Sequence, residues 1–513
     1  MKYKSTLLIA LALLYVPQAN SQTLFEAFQK SLKYDPNYRA SQANKKAGDA
    51  ERRIGRAALL PQVSALFYQG KAETERTLLN TANPQVDTTE YDIINNALTI
   101  QQPLINLDGE ARFAQGDLIA KQAVVQEAEA RGVLSLRVTT AYLDILSAIE
   151  QLRLTESETF SLKERLALVY SGIEAGETSK TDLAESQAQL DIANARLLEA
   201  KEALNLSLRT LENITGVKSQ SILFPKNLDV NRMTTPLEFD KLKAKMLTNS
   251  PAVINSLYDI RIAEQEVAKQ RAAHFPRLDF VVRASQSESD TVTTIGQRND
   301  QTSYALQMQV PLFAGFAVDA GVEKAMANLE RATIAWQARI QENGYKLQEE
   351  YSKYSVSRTK ISAFQKAVNS GQESLKAAEL GLKLGIRTLS DVLDAQRQLF
   401  STQKDLSRIR YETLASLVNI NSVSGQLNVR TLKEISDLIA SDAETVEFQR
   451  PELINFQPEN PSEFKLLDFN EPLENPAPRP EPEKTLRIES TGNQVVYSIQ
   501  DRADLLPPPN IVD

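Results

Sequence analysis

Cysteine is absent from this 513-residue chain, and histidine occurs once, at His274. The first absence excludes disulfides, thiolate metal sites, cysteine nucleophiles and a lipid-bearing N-terminal cysteine. The second leaves too few imidazoles for an ordinary zinc site and no Ser-His-Asp set. Basic excess is missing too: 58 Lys and Arg face 66 Asp and Glu, for a formal net charge of −8. That argues against nucleic acid as a partner, because phosphate binding needs a basic patch. No phosphate-cradling glycine loop is present, since the stretch from Gly385 to Asp391 lacks the lysine of a P-loop. The chain is therefore expected to need no cofactor or metal and not to be an enzyme. The paired Asp391 and Asp394 have neither the pocket nor the contrasting partners that acid–base catalysis requires.

Long hydrophobic runs are scarce as well. The N-terminus reads as a secretory signal over residues 1–21: Lys2 and Lys4, an apolar stretch from Leu7 to Val16, then the small residues Ala19, Asn20 and Ser21. Its apolar stretch is shorter than the ~20 residues of a membrane span, so a mature start at Gln22 is expected. No later segment looks apolar enough to be a transmembrane helix. This pattern implies an exported chain that is not held in a membrane by helices.

What the chain does have is a repeat. Asp35-Pro36 and Ser250-Pro251 each open a helical segment, and Leu60-Pro61 and Phe275-Pro276 each end one. Pro103 and Pro311 each close an alternating segment. Ile214-Thr215-Gly216 then matches Val423-Ser424-Gly425. We read two copies of one unit, 22–216 and 238–425, joined by a linker at 217–237 and followed by an acidic, proline-rich tail at 426–513. The tail is expected to be mostly extended or disordered, with a short stretch near Asn493 to Ile499 able to pair locally.

Proline is missing between Leu104 and Phe224 and again between Leu312 and Arg450. Because an interior proline costs a helix ~3 kcal/mol, these gaps permit very long helices. A seam at Leu134, Val138, Ala141, Ile145, Ala148 and Leu152 alternates steps of four and three, the pattern of packed antiparallel helices. Each unit also carries a hairpin, at about 62–104 and 277–313. Leu278, Phe280, Val282 and Ala284 alternate with more polar residues, as do Tyr304, Leu306, Met308 and Val310. Asn96, Leu98, Ile100 and Gln102 alternate less cleanly, and Val63 to Glu73 is weakest. The polar tips, Thr74 to Glu90 and Gln286 to Gln301, read as exposed loops. Such strands suit a membrane barrel with lipid on one face and lumen on the other. Four strands cannot close one, and open edges are too costly in lipid. A barrel would be shared between chains, with eight, twelve or sixteen strands for two, three or four copies.

Two glycine-bearing turns interrupt the long helices. Gly381 and Gly385 precede Asp391 and Asp394; Gly172 and Gly176 precede Asp182 and Glu185 at the same spacings. Carboxylates three residues apart share one helix face. The turns, the duplicated hairpin-and-helix units and the run from Gly385 to Ala395, with Phe313, Gly315 and Phe316 after the junction proline, together resemble the TolC family of outer-membrane channel-tunnels. The resemblance covers about residues 22–430.

It implies a mainly α fold with a β-barrel part: a homotrimer sharing a twelve-strand barrel that continues as a helical tunnel across the periplasm of a Gram-negative bacterium. It further implies that Asp391 and Asp394 ring the narrow periplasmic entrance and that Arg387, Thr181 and Asp182 take part in links holding it closed. Gly172, Gly176, Gly381 and Gly385 would mark the turns that meet a periplasmic adaptor protein. Where some members have a gate tyrosine this chain has Leu382, so closure would lean more on Arg387. Crowded carboxylates should raise one another's proton affinity. Energy would come from an inner-membrane ABC or proton-driven transporter, and the look of the motifs favours protein over small-molecule cargo. The alternative is a periplasmic or surface coiled-coil scaffold that forms no channel.

Overall fold

The computed structural model describes residues 22–448, apart from 78–85, 177, 227, 229–235, 237 and 292–293, and beyond them a strand pair at 485–491 and 494–500. The signal segment at 1–21 and most of the tail lie outside the described residues.

Helix lengths repeat along the chain. Helices α1 (Leu24–Tyr34), α2 (Pro36–Ala57), α3 (Leu107–Glu174) and α4 (Lys180–Thr215) have 11, 22, 68 and 36 residues. Helices α5 (Phe239–Asn249), α6 (Pro251–Ala272), α7 (Ala317–Lys383) and α8 (Leu389–Val423) have 11, 22, 67 and 35. Pro36 and Pro251 sit in the first turns of α2 and α6, where a missing N–H costs nothing. At 1.5 Å per residue α3 is about 100 Å long.

The principal core lies midway along α3. Leu134, Val138, Ala141 and Ile145 are buried, with Ala148 and Leu152 packed against them. A second stripe on the same helix, Tyr142, Leu146 and Ile149, is equally buried, because α3 packs against α1, α2, α4, α6 and α8 rather than against one neighbour. The Tyr142 hydroxyl donates to the carbonyls of Gln22 and Leu223 at 3.1 and 3.2 Å, which ties this core to the start of the described chain. One window of α3, with a mean hydropathy of 1.3, is long and apolar enough to cross a membrane by length and composition, contrary to the expectation that none would be. It is 56% buried, as befits a helix enclosed by five others.

Two further expectations need correction. The supposed linker at 217–237 contains strand β3 (Ser221–Pro225), with Ile222 and Phe224 buried in the main core. The tail begins with α9 (Val429–Ala440), whose Leu432, Ile435 and Ile439 join that core, and continues into β6 (Ala443–Glu447), which pairs antiparallel with β3. The proline-rich composition after residue 450 had obscured a short amphipathic helix with helical i, i+3, i+7 spacing. Separately, β7 (Thr485–Thr491) and β8 (Gln494–Gln500) form an antiparallel pair.

The two hairpins make one antiparallel sheet in the order β1-β2-β4-β5, from β1 (Gln62–Thr77), β2 (Val86–Ile105), β4 (Arg277–Thr291) and β5 (Thr294–Gln309). Most of the stretches expected as loop tips are paired strand; a ladder needs only backbone groups, and polar side chains do not oppose it where water is available. Pro103 is accommodated at a register shift, where a ladder N–H is dispensable.

Helix α4 ends at Gly216, which holds φ +69° and presses against the Tyr34 ring of α1. A methyl there would overlap the ring and place an L-residue in the left-handed region. Gly216→Ala should lower the unfolding temperature followed by circular dichroism at 222 nm, by several degrees relative to an exposed control such as Lys201→Ala.

Candidate functional site

Two features can do chemistry or transport: the helix turns far from the sheet, and the sheet itself. In the second turn, Gly385 at φ +72° lets α7 end in a paired motif, with Ile386 N–H donating to Gly381 O at 2.9 Å and Gly385 N–H to Leu382 O at 3.0 Å. Gly176, at φ +76°, ends α3 with its N–H on Ile173 O at 3.0 Å. Gly172 and Gly381 have a different task. They lie one turn back in the helices, and a Cβ would collide with Thr178 in the first case and with the Arg387 stem in the second. Each is a landing place for the returning chain.

The next helices begin alike. Ser179 and Thr388 are N-caps whose hydroxyls accept the N–H groups of Asp182 and Asp391 at 3.1 and 3.2 Å. In return the Asp182 carboxylate accepts the Ser179 N–H at 3.0 Å, and that of Asp391 accepts the Thr388 N–H at 2.8 Å and its hydroxyl at 2.9 Å. Both aspartates thus complete capping boxes and sit where a helix N-terminus favours negative charge. The S/T-x-x-D spacing at 179 and 388 carried this signal, which the sequence reading passed over in favour of the carboxylates themselves.

Asp391 and Asp394 both lie near the α8 start but are not a matched pair. Asp394 accepts from Arg397 at 2.7 Å, while Arg387 stands 3.7 Å from Asp391. The Thr388 N–H and hydroxyl, with the Arg387 charge, hold the Asp391 carboxyl below its ordinary value. Within one chain the donors aimed at the Asp391 carboxylate set this direction. Nor does the chain join Arg387 to Asp182. The two turns are joined instead by the Ser390 hydroxyl, which donates to Glu185 at 3.0 Å. Behind them Leu393 packs with Leu162, Leu166, Leu190 and Ala193. Thr181 is exposed, and so are Leu380, Leu384 and Ile386 around the second turn.

The sheet has two unlike faces. Directly opposed residues in an antiparallel ladder point the same way, and the register aligns Val63, Ile100, Val282 and Tyr304 in one row. Ala65, Leu98 and Ala284 lie on that face, as do Leu278 with Met308 and Phe280 with Leu306. Phe67, Tyr304, Leu306 and Met308 are 80%, 72%, 68% and 66% exposed. The opposite face is the more polar one: it carries Ser64, Thr99, Gln101, Arg283, Ser303 and Gln307, with Leu66, Tyr68 and Val281 among them. Edges β1 and β5 have no further strand beside them among the described residues. His274 lies at the α6–β4 junction, 3.6 Å from Asp319. Among the described residues no group of three acidic or imidazole side chains is placed to hold a metal ion.

An apolar-faced sheet joined to helices of about 100 Å suits a conduit through a membrane. Residues 27–217 and 242–426 match the family described as outer membrane efflux protein, and the chain belongs to that family. It is 27% identical over 433 residues to the alkaline protease secretion protein AprF of Pseudomonas aeruginosa, covering 83% of this chain and 89% of that one. It is 24% identical over 477 residues to outer membrane protein TolC of Escherichia coli K12, covering 90% and 92%. Its fold matches the outer membrane channel CmeC of Campylobacter jejuni with a TM-score of 0.66 at 17% identity, over 82% of this chain and 90% of that one. The protein is accordingly a TolC-family channel of the Gram-negative outer membrane, and its family is one of channels, not of enzymes.

Because the folded Asp391 carboxyl lies below the ordinary 3.8, its cap stays intact above that value and is lost as pH falls through the lower folded one. The first turn of α8 should be better protected from hydrogen exchange in wild type than in Asp391→Ala at neutral pH. That difference should persist down to about the ordinary aspartate value and close only in stronger acid.

Proposed function

We propose that three copies of the chain share one twelve-strand barrel in the outer membrane and one helical tunnel below it, forming the exit duct of a tripartite export system. The observation that carries this reading is the one-sided apolar sheet with two open edges. In lipid an unpaired strand edge leaves backbone groups unsatisfied at several kcal/mol each, so β1 of one copy must meet β5 of another. Closure in threes follows the family resemblance; four strands per chain also permit other multiples.

At the far end, the turns of three chains would bring six carboxylates, from Asp391 and Asp394, around one constriction. Acidic rings favour cations. Since Asp182 and Arg387 do not meet within a chain, their proposed closing link, with Thr181 alongside, runs between neighbouring chains. The glycine turns at Gly172, Gly176, Gly381 and Gly385, with Leu384 and Ile386 exposed beside them, form the surface for a periplasmic adaptor. An ABC or proton-driven transporter in the inner membrane supplies the energy. The cargo is protein, since AprF, the relative at 27% identity, is named for protease secretion.

Four outcomes test this reading. Unheated protein from outer-membrane fractions should migrate as a trimer, and Asp391→Ala with Asp394→Ala should weaken its cation selectivity in planar bilayers; a water-soluble monomer that passes no ions would sink the proposal. Arg387→Ser should raise single-channel conductance by loosening closure, and conductance equal to wild type would count against the link. Deleting the protein should remove particular proteins from the culture medium while leaving resistance to hydrophobic drugs largely unchanged; the opposite pattern would mark a small-molecule channel.

A further inference from the structure

The polar face of the sheet carries few charges. Between Gln62 and Gly70 on β1, Ile93 and Pro103 on β2, Arg277 and Ser287 on β4, and Asn299 and Gln309 on β5, its ionisable side chains at interior pH are Arg277, Asp279 and Arg283. The first two cancel: Arg277 stands 2.9 Å from the Asp279 carboxylate, which also accepts from Gln101 at 3.0 Å. Arg283 has no such partner. The register sets it between Thr99 and Ser303, with Gln101 and Gln301 in the adjoining rows, and its side chain is exposed. Among the described residues no carboxylate reaches it. A guanidinium stays charged at any physiological pH and is destabilising on a lipid-facing surface at mid-membrane depth. The apolar face already claims the lipid, so Arg283 faces the inside of the barrel.

We propose that Arg283, once from each chain, forms a cationic ring in the barrel lumen that attracts acidic segments of exported polypeptides as they pass. Rings of like charge set selectivity in pores, and arginine rings favour anions. With low-dielectric walls around it, the ring focuses its field on the passing chain. It opposes in sign the carboxylates proposed at the far entrance. The inference rests on the shared-barrel reading and adds a residue that discriminates among cargoes by charge.

The absence of cysteine makes the test direct. Arg283→Cys and, on the opposite face, Leu306→Cys are compared with wild type as reconstituted trimers in planar bilayers. A water-soluble methanethiosulfonate should modify Arg283→Cys and spare Leu306→Cys. Arg283→Cys should shift the reversal potential in a KCl gradient toward cations and weaken, several-fold, block by an oligoglutamate peptide added on the barrel side. A trimethylammonium reagent, which restores the positive charge, should reverse both changes, and a sulfonate reagent should deepen them. Wild-type selectivity and block in Arg283→Cys, before and after both reagents, would overturn the ring and leave the channel standing. Modification of Leu306→Cys but not of Arg283→Cys would overturn the assignment of faces. A wild-type trimer that inserts without conducting would instead overturn the shared barrel on which the ring depends.

Discussion

Backbone hydrogen bonding in lipid is the constraint from which the rest of this molecule follows. A sheet that turns Phe67, Leu98, Val282, Tyr304 and Leu306 outward on one face gains by leaving water for hydrocarbon. The same transfer strands the free N–H and C=O groups of its two outer strands. Soluble proteins blunt such edges with charge, bulges or a covering element; here the outermost strands, β1 and β5, present large exposed apolar side chains instead. In the shared barrel proposed above, neighbouring copies of the chain would supply the missing partners for those edges.

The helical part solves a different problem with the same repetition. Helices of 68 and 67 residues exceed what one globular core can enclose. Burial is instead distributed: a main core around Leu134 to Ile149, a smaller one where Leu347 and Tyr354 meet Leu242, and another near the turns around Leu393. Each very long helix returns through a glycine in the left-handed region and restarts at a capping box, so both ends of each reversal have their backbone groups satisfied. The two reversals differ mainly in what lands on the preceding helix. Thr178 reaches back to the Val169 carbonyl in one, whereas the Arg387 stem lies over Gly381 in the other. A neutral hydroxyl in one turn and a cation in the other give the two halves of the repeat unlike surfaces on like frames.

Charge follows the same economy. Ionic contacts join elements along the shaft, as where the buried Glu158 on α3 receives Lys404 from α8 at 2.6 Å and the exposed Arg196 from α4 at 3.8 Å. Near the turns, Asp182 and Asp391 serve helix caps, while Asp394 accepts from Arg397 and Glu185 from Ser390. In the sheet, by contrast, Arg283 stands on the polar face with no carboxylate beside it among the described residues.

The sequence by itself determined the periodic features. Proline-free gaps set the long helices, alternation set the strands, and repeated punctuation announced the duplication, because each depends only on local backbone chemistry and on residues a few positions apart. The resemblance of the second turn pointed to the family, which the comparison with known proteins established. Tertiary structure alone decided where β3, α9 and β6 belong, since their few apolar residues acquire meaning only against α1 and α3. It also decided which way each carboxylate turns. Spacing places Asp391 and Asp394 near one another, but the donors that claim them, Thr388 and Arg397, are selected by cap geometry and rotamer rather than by sequence distance. Likewise the bond from Ser390 to Glu185 spans more than two hundred positions, a contact that no local pattern can announce because only packing of α4 against α8 creates it.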